Sequence, residues 1–184
     1  MKKIVRNKTL LLLLSIFILV GFIGCGTGED NKKETTTQKD TDAVSSASVV
    51  DDKDSFTKAA GKNGTWIIIL TDDLEFTEDI VVEGNFTHNN EPARKIAMYD
   101  QDENRNKTKS YKLQAPTLTV RSENTRLQGG TFVGDVYVEA KGFALVDGKI
   151  DGNLYFMNEE IQESFRLDEG ASVTGETKVK KKDE

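Results

Sequence analysis

The sequence predicts an all-β domain, a short parallel β-helix of about 18-residue coils with an N-terminal capping turn and one inserted hairpin or loop. Two observations carry that expectation. Short apolar triplets recur down the chain with Gly, Asn and Asp between them. Several also keep a fixed step: Leu118-Thr119-Val120 lies 18 residues before Val136-Tyr137-Val138, which lies 18 before Leu154-Tyr155-Phe156. A fixed short period marks a solenoid, in which each copy buries its apolar face only by stacking on its neighbour.

The elements follow in chain order. Lys2-Lys3, then Leu10 to Ile23, then Gly24-Cys25 give a basic n-region, an apolar h-region and a small residue at a cut site, the pattern of a secretory signal over 1–24. An uncleaved N-terminal membrane helix is the alternative. Residues 25–54 mix both signs of charge with Thr and Ser and hold almost nothing to bury, so they read as a disordered tether. The folded domain is expected over 55–179. Ser55 to Gly61 suits a helical turn capped by Asp54 or Ser55. Trp66-Ile67-Ile68-Ile69-Leu70 is too short for a globular helix and reads as a strand buried on both faces. The triplets at Ile80, Leu118, Val136, Phe143, Leu154, Phe165 and Thr177 complete the strand set.

Further columns keep the step. Leu127 maps to Leu145, Gly130 to Gly148 and Gly134-Asp135 to Gly152-Asn153, with one more turn at Gly175 to Val179 after a longer loop. Alternation within a triplet points its first and third side chains inward. The expected core is Trp66, Ile67, Ile69, Ile80, Val82, Leu118, Val120, Val136, Val138, Phe143, Leu145, Leu154, Phe156, Phe165 and Leu167, with Tyr137 and Tyr155 stacked outside. An α-helical repeat would need apolar residues at helical spacing, absent after Gly61. A β-sandwich is the main competing architecture. From Ile80 to Leu118 the step is 38 residues, so a hairpin or loop is inserted at about 88–112. Insertions in solenoids often carry the binding face. That makes His88, Arg94, Tyr99, Arg105 and Tyr111 candidate contact residues. Residues 180–184 form a charged tail, whose charge discourages edge pairing and could also meet an anionic wall polymer.

Charge narrows the partners. The leader holds four of the 25 basic residues and none of the 31 acids, so residues 25–184 carry a formal charge of −10. Such a surface repels nucleic acid. With Cys25 the only cysteine, no intrachain disulfide is available.

Phe22-Ile23-Gly24-Cys25 resembles the lipobox of bacterial lipoproteins. That resemblance implies cleavage after Gly24, a diacylglycerol on the Cys25 sulfur, export, and a membrane anchor on the outer face of the cell membrane. Gly134-Asp135-Val136-Tyr137-Val138 and Gly152-Asn153-Leu154-Tyr155-Phe156 resemble the units of bactofilins, polymer-forming bacterial cytoskeletal proteins. The match covers Leu118 to Val179 and implies a single-stranded right-handed β-helix with self-assembly as one role. More broadly the chain resembles uncharacterised lipoproteins of low-GC Gram-positive bacteria. Bactofilins are usually cytoplasmic, whereas this chain carries an export signal.

A membrane-anchored structural or binding module is therefore expected, with the membrane, a second copy of itself or cell-wall glycan as partners and no cofactor. A polysaccharide-active enzyme or glycan-binding adhesin is the alternative, because many pectin-cleaving enzymes share the β-helix; Asp135, Asp147, Asp151 and Asn153 would lie near one another. Two carboxylates, one kept protonated, would be needed for hydrolysis. Asp100, Asp102 and Asn104 match the first three ligand positions of a calcium loop. Arg105 replaces the glycine at the sixth and Tyr111 the glutamate at the twelfth, so a solvated hairpin tip is the favoured reading. His88, the one histidine, reads as a surface-loop residue.

Overall fold

The alternating triplets form strands because each places β-branched or aromatic side chains on a half-buried pleat. A computed structural model describes residues 47–180, which fall within one compact unit. β1 (Ser48–Val50) leads into helix α1 (Lys53–Ala60), then β2 (Ile67–Leu70), β3 (Leu74–Glu75) and β4 (Ile80–Val82). A hairpin, β5 (Thr87–His88) and β6 (Glu91–Pro92), precedes β7 (Arg94–Ala97). A second hairpin, β8 (Tyr99–Gln101) and β9 (Lys107–Ser110), precedes β10 (Lys112–Val120). β11 (Thr125–Gln128), β12 (Thr131–Val138), β13 (Ala144–Val146), β14 (Lys149–Asp151) and β15 (Leu154–Phe156) follow. Helix α2 (Glu159–Glu163) and strands β16 (Arg166–Leu167), β17 (Ser172–Val173) and β18 (Thr177–Val179) end the described chain.

The domain is all-β, and both of its large sheets are parallel. The first has six strands in the order β1-β2-β7-β11-β13-β16. In the second, eight-stranded sheet, β3 and β4 pair with the two halves of β10, which pairs with β12. β14 and β15 pair with the two halves of β12, and they pair in turn with β17 and β18. Each pass of the chain thus gives one strand to the first sheet and two short ones, or one bent one, to the second. The 18-residue step is the pairing register: Leu118 lies opposite Val136, Val136 opposite Leu154 and Leu127 opposite Leu145. The longer step from Ile80 to Leu118 is a register pair as well.

The core is a set of columns running across the strands. Ile68, Ile96, Leu127 and Leu145 form one, all fully buried. Leu74, Leu113, Phe132 and Ile150 form a second. Val82, Val120, Val138 and Phe156 form a third. Burying each such side chain is worth about 1.5–3 kcal/mol, so no single pass is stable without its neighbours. α1 closes the N-terminal end by burying Phe56, Ala59 and Ala60, with the Phe56 ring 5.6 Å from Phe76.

Four expectations need correction. β1 lies in the first sheet and α1 starts at Lys53 under an Asp52 cap, so the fold begins by Ser48, inside the stretch assigned to the tether. Val50, fully buried, supplies the apolar anchor there. In β2 the buried residues are Ile68 and Leu70; Ile67 and Ile69 are half-buried, and Trp66 sits at the strand's entry. An unbroken apolar run gives no parity to read. Leu167 is 52% exposed, because β16 is an edge strand with nothing beyond it among the described residues. Tyr137 is buried rather than stacked outside, and the Tyr137 hydroxyl donates to the Lys180 carbonyl; the Tyr155 ring lies 6.3 Å from the Tyr137 ring.

The expected single insertion at 88–112 is two hairpins with a core strand between them. β7 belongs to the first sheet, pairing with β2 and β11 and burying Ile96 and Ala97. The leader, Cys25, the tether up to residue 46 and tail residues 181–184 lie outside the described residues. Among those described, no helix is long and apolar enough to cross a membrane.

Candidate functional site

The first hairpin is built by its turn. Asn89 and Asn90 hold φ of 53° and 64°, and a two-residue turn with positive φ at both centres is the type that matches strand twist. Asparagine tolerates that conformation. Pairing of His88 with Glu91, and of Thr87 with Pro92, then fixes His88 above the entry to β2. There its ring stacks on Trp66 at a centroid distance of 4.2 Å and an interplanar angle of 14°. Asn124, itself at φ 51°, donates from Nδ2 to the Pro92 carbonyl at 2.8 Å and ties the hairpin to the next pass.

Beside this aromatic pair the outer face of the first sheet carries a basic column. Register places Ile67 opposite Lys95, Lys95 opposite Arg126, Arg126 opposite Ala144 and Ala144 opposite Arg166. Together they border a cleft of about 510 Å³ lined by Trp66, His88, Pro92, Lys95, Arg126 and Arg166, with Glu91 its one acid. The Lys95 ammonium reaches the Tyr99 hydroxyl at 3.1 Å. Among the described residues neither Arg126 nor Arg166 has an ion-pair partner. The other ion pairs, such as Arg121–Glu139 and Lys107–Asp147, lie elsewhere.

The expected contact residues divide. His88 is in the cleft and Tyr99 touches its edge through Lys95. Arg94 is a correction: it is 1% exposed and acts as an internal strut. Its Nη1 and Nη2 donate to the carbonyls of Thr65 and Ala59 at 2.5 and 2.7 Å, and its guanidinium lies 4.2 Å from the Phe86 ring centroid. The C-terminal end of α1 is thereby satisfied by a cation, as its dipole favours. Burial pushes the guanidinium down to about 10, which leaves it charged at neutral pH. Its Nε alone has no partner.

Tyr111 is likewise buried, and its hydroxyl donates to Asp100 Oδ2 at 2.5 Å, the first cause of a raised phenol pKa. Arg105 stands exposed at the second hairpin's tip with φ 67°. The proposed calcium ligands have local partners. Asp102 Oδ1 accepts from the amides of Asn104 and Asn106, and Oδ2 from Asn106 Nδ2, so Asp102 caps its own turn. Asp100 holds Tyr111. Among the described residues no three His, Cys, Asp or Glu side chains gather as a metal site.

The acids weighed for catalysis serve the corners. Asp135 Oδ1 accepts from Asn153 N and Nδ2, both at 2.9 Å, and Asn153 Oδ1 accepts from Glu176 N one pass later. Asp151 accepts from Thr174 and pairs with Lys149, whose hydrogen bond is the first cause holding that carboxyl below its usual range. Asp147 pairs with Lys107 of the second hairpin at 2.8 Å.

Trp66, Lys95, Arg126 and Arg166 were the residues sequence reasoning missed as a site. Trp66 sat in an apolar run and read as core. The cations stand 29 to 100 residues from it, and only the strand register aligns them. No protein-family profile, no curated protein and no solved structure matches this chain.

Proposed function

We propose that this chain is a lipid-anchored module of the bacterial cell surface whose task is binding. In this reading Cys25 carries the lipid on the outer face of the membrane. The domain is a single-stranded right-handed parallel β-helix, bactofilin-like in its coils, and it holds a rigid cleft toward cell-wall glycan. The observation that carries the reading is the cleft: a stacked Trp66–His88 pair beside Lys95, Arg126 and Arg166, fixed by a regular parallel sheet. Aromatic faces and cations on a preformed surface suit a sugar polymer better than a buried small molecule. The polysaccharide-cleaving alternative has less support, because Asp135 and Asp151 are engaged by neighbouring passes.

The test is co-sedimentation of the full chain, in detergent, with insoluble cell-wall glycan. Retention that falls on His88→Ala, with an unchanged melting temperature, is the expected result. Retention indifferent to His88, or none, contradicts it.

A second reading, self-association, is favoured by the far end of the molecule. α1 closes the first pass, but the last leaves Phe165, Val173 and Val179 only partly buried and Leu167 exposed among the described residues. An end that is closed on one side and open on the other permits a pairwise contact between two open ends and not an endless filament. Sedimentation across a hundredfold concentration range distinguishes a dimer limit from growing polymers.

A further inference from the structure

Lys95, Arg126 and Arg166 occupy one outward column, and the strand spacing sets their separations. Neighbouring strands lie about 4.8 Å apart, so Lys95 and Arg126 are one spacing apart and Arg126 and Arg166 two. Like charges directly opposite each other on adjacent strands destabilise a sheet. Here they recur over four strands of a protein whose charge outside the leader is strongly negative, with Ala144 alone interrupting them. Six other cations of the described surface sit beside acids, Lys141–Glu160 and Lys178–Glu176 among them, while isolated ones such as Lys58 and Lys112 stand alone rather than in a row. The column lacks such partners among the described residues; Glu91 lines the cleft without pairing with any of the three. Beneath it lies Arg94, nine-tenths buried and more, with an Nε that no protein atom satisfies.

We infer that the cleft recognises an anionic glycan, its carboxylate or phosphate groups meeting Lys95, Arg126 and Arg166 while a sugar ring lies against the Trp66–His88 pair. This rests on the cleft being the ligand site, the reading given above. Guanidinium groups bind carboxylate and phosphate oxygens through two parallel N–H donors, which a neutral sugar cannot accept with the same strength. The column runs across the strands, so the glycan lies along the stacking direction, and its successive anionic groups meet successive cations. A polymer with one charge per unit satisfies such a row better than a single small anion.

Trp66 is the chain's only tryptophan, so its emission reports on the cleft alone. The experiment titrates the full chain in detergent with three probes: an oligogalacturonate, a glycerol phosphate oligomer and a neutral malto-oligosaccharide of equal length. Saturable change with one or both anionic probes, little with the neutral one, and weakening by about tenfold in Arg126→Gln is expected. Arg126→Lys, which keeps the charge but loses the fork, should fall between them. Galacturonate against glycerol phosphate identifies the anionic group. Equal binding of the neutral probe, indifferent to Arg126→Gln, overturns the anion inference while leaving a glycan cleft. Failure of every probe, in a protein that still sediments with cell-wall glycan through His88, overturns it as well. Failure of both experiments removes the binding module itself.

Discussion

Asp102 and Arg94 show how single side chains hold the two hairpins and the cap in place. Asp102 takes three hydrogen bonds inside its turn, from Asn106 Nδ2 and the amides of Asn106 and Asn104. Those bonds, led by the Asn106 side chain, hold its carboxyl below the ordinary value of 3.8. The sign follows from linkage: with the folded value depressed, the unfolded chain binds the proton more readily. The stabilisation is complete above the ordinary carboxylate value and is lost as pH falls through the folded one. Protection of the Asn104 and Asn106 amides, measured against the intrinsic exchange rate at each pH, is therefore expected to fall on acidification below 3.8, and Asp102→Asn to abolish that dependence. Equal acid response in the variant would contradict the cap. An Asp-x-Asn pattern was legible as a turn, but the sequence could not say which oxygens the turn itself would occupy. Arg94 reads as a contact residue because it lies in the interruption of the repeat, where solenoids often carry their binding face. Its burial follows from carbonyls of Ala59 and Thr65 that lie about thirty residues upstream, a long-range demand that no local pattern displays.

At the scale of elements, the corners decide whether passes can stack. Gly134 holds φ 130° and a Cβ there would lie 1.9 Å from the Ala115 carbonyl oxygen; at Gly152 it would lie 2.0 Å from that of Gly134. Backbone thus packs on backbone at this corner, with Asp135 and Asn153 adding hydrogen bonds beside it. Gly152→Ala has no flexible side chain to displace. It is expected to cost about 1–3 kcal/mol, the usual range for forced overpacking, read as a lower urea midpoint. An unchanged midpoint would mean that the corner is looser than described. The glycine column was visible in the sequence because its step is the same as that of the apolar triplets. The two hairpins were less legible. Arg94-Lys95-Ile96-Ala97 shows no apolar–polar alternation, and it follows Asn89-Asn90 and precedes a polar run, so its place in the first sheet was masked. Pairing with β2 across 28 residues is what restores it.

For the whole molecule, periodicity carried the parallel strand register but not the site. Inward columns repeat because burial demands it at every pass. Outward residues face no such demand, and their alignment emerges only when strands from distant segments share a register. The cleft therefore gathers Trp66 from one pass, Lys95 and the His88 hairpin from its neighbours, and Arg126 and Arg166 from later ones. The central claim is that this outer face of the first sheet is where the protein meets its ligand. Hydrogen–deuterium exchange of the full chain, with and without solubilised cell-wall glycan, tests it most directly. Added protection is expected in segments 66–67, 87–95, 124–126 and 166. Protection confined to the second hairpin or to the last pass, with the cleft unchanged, would contradict it.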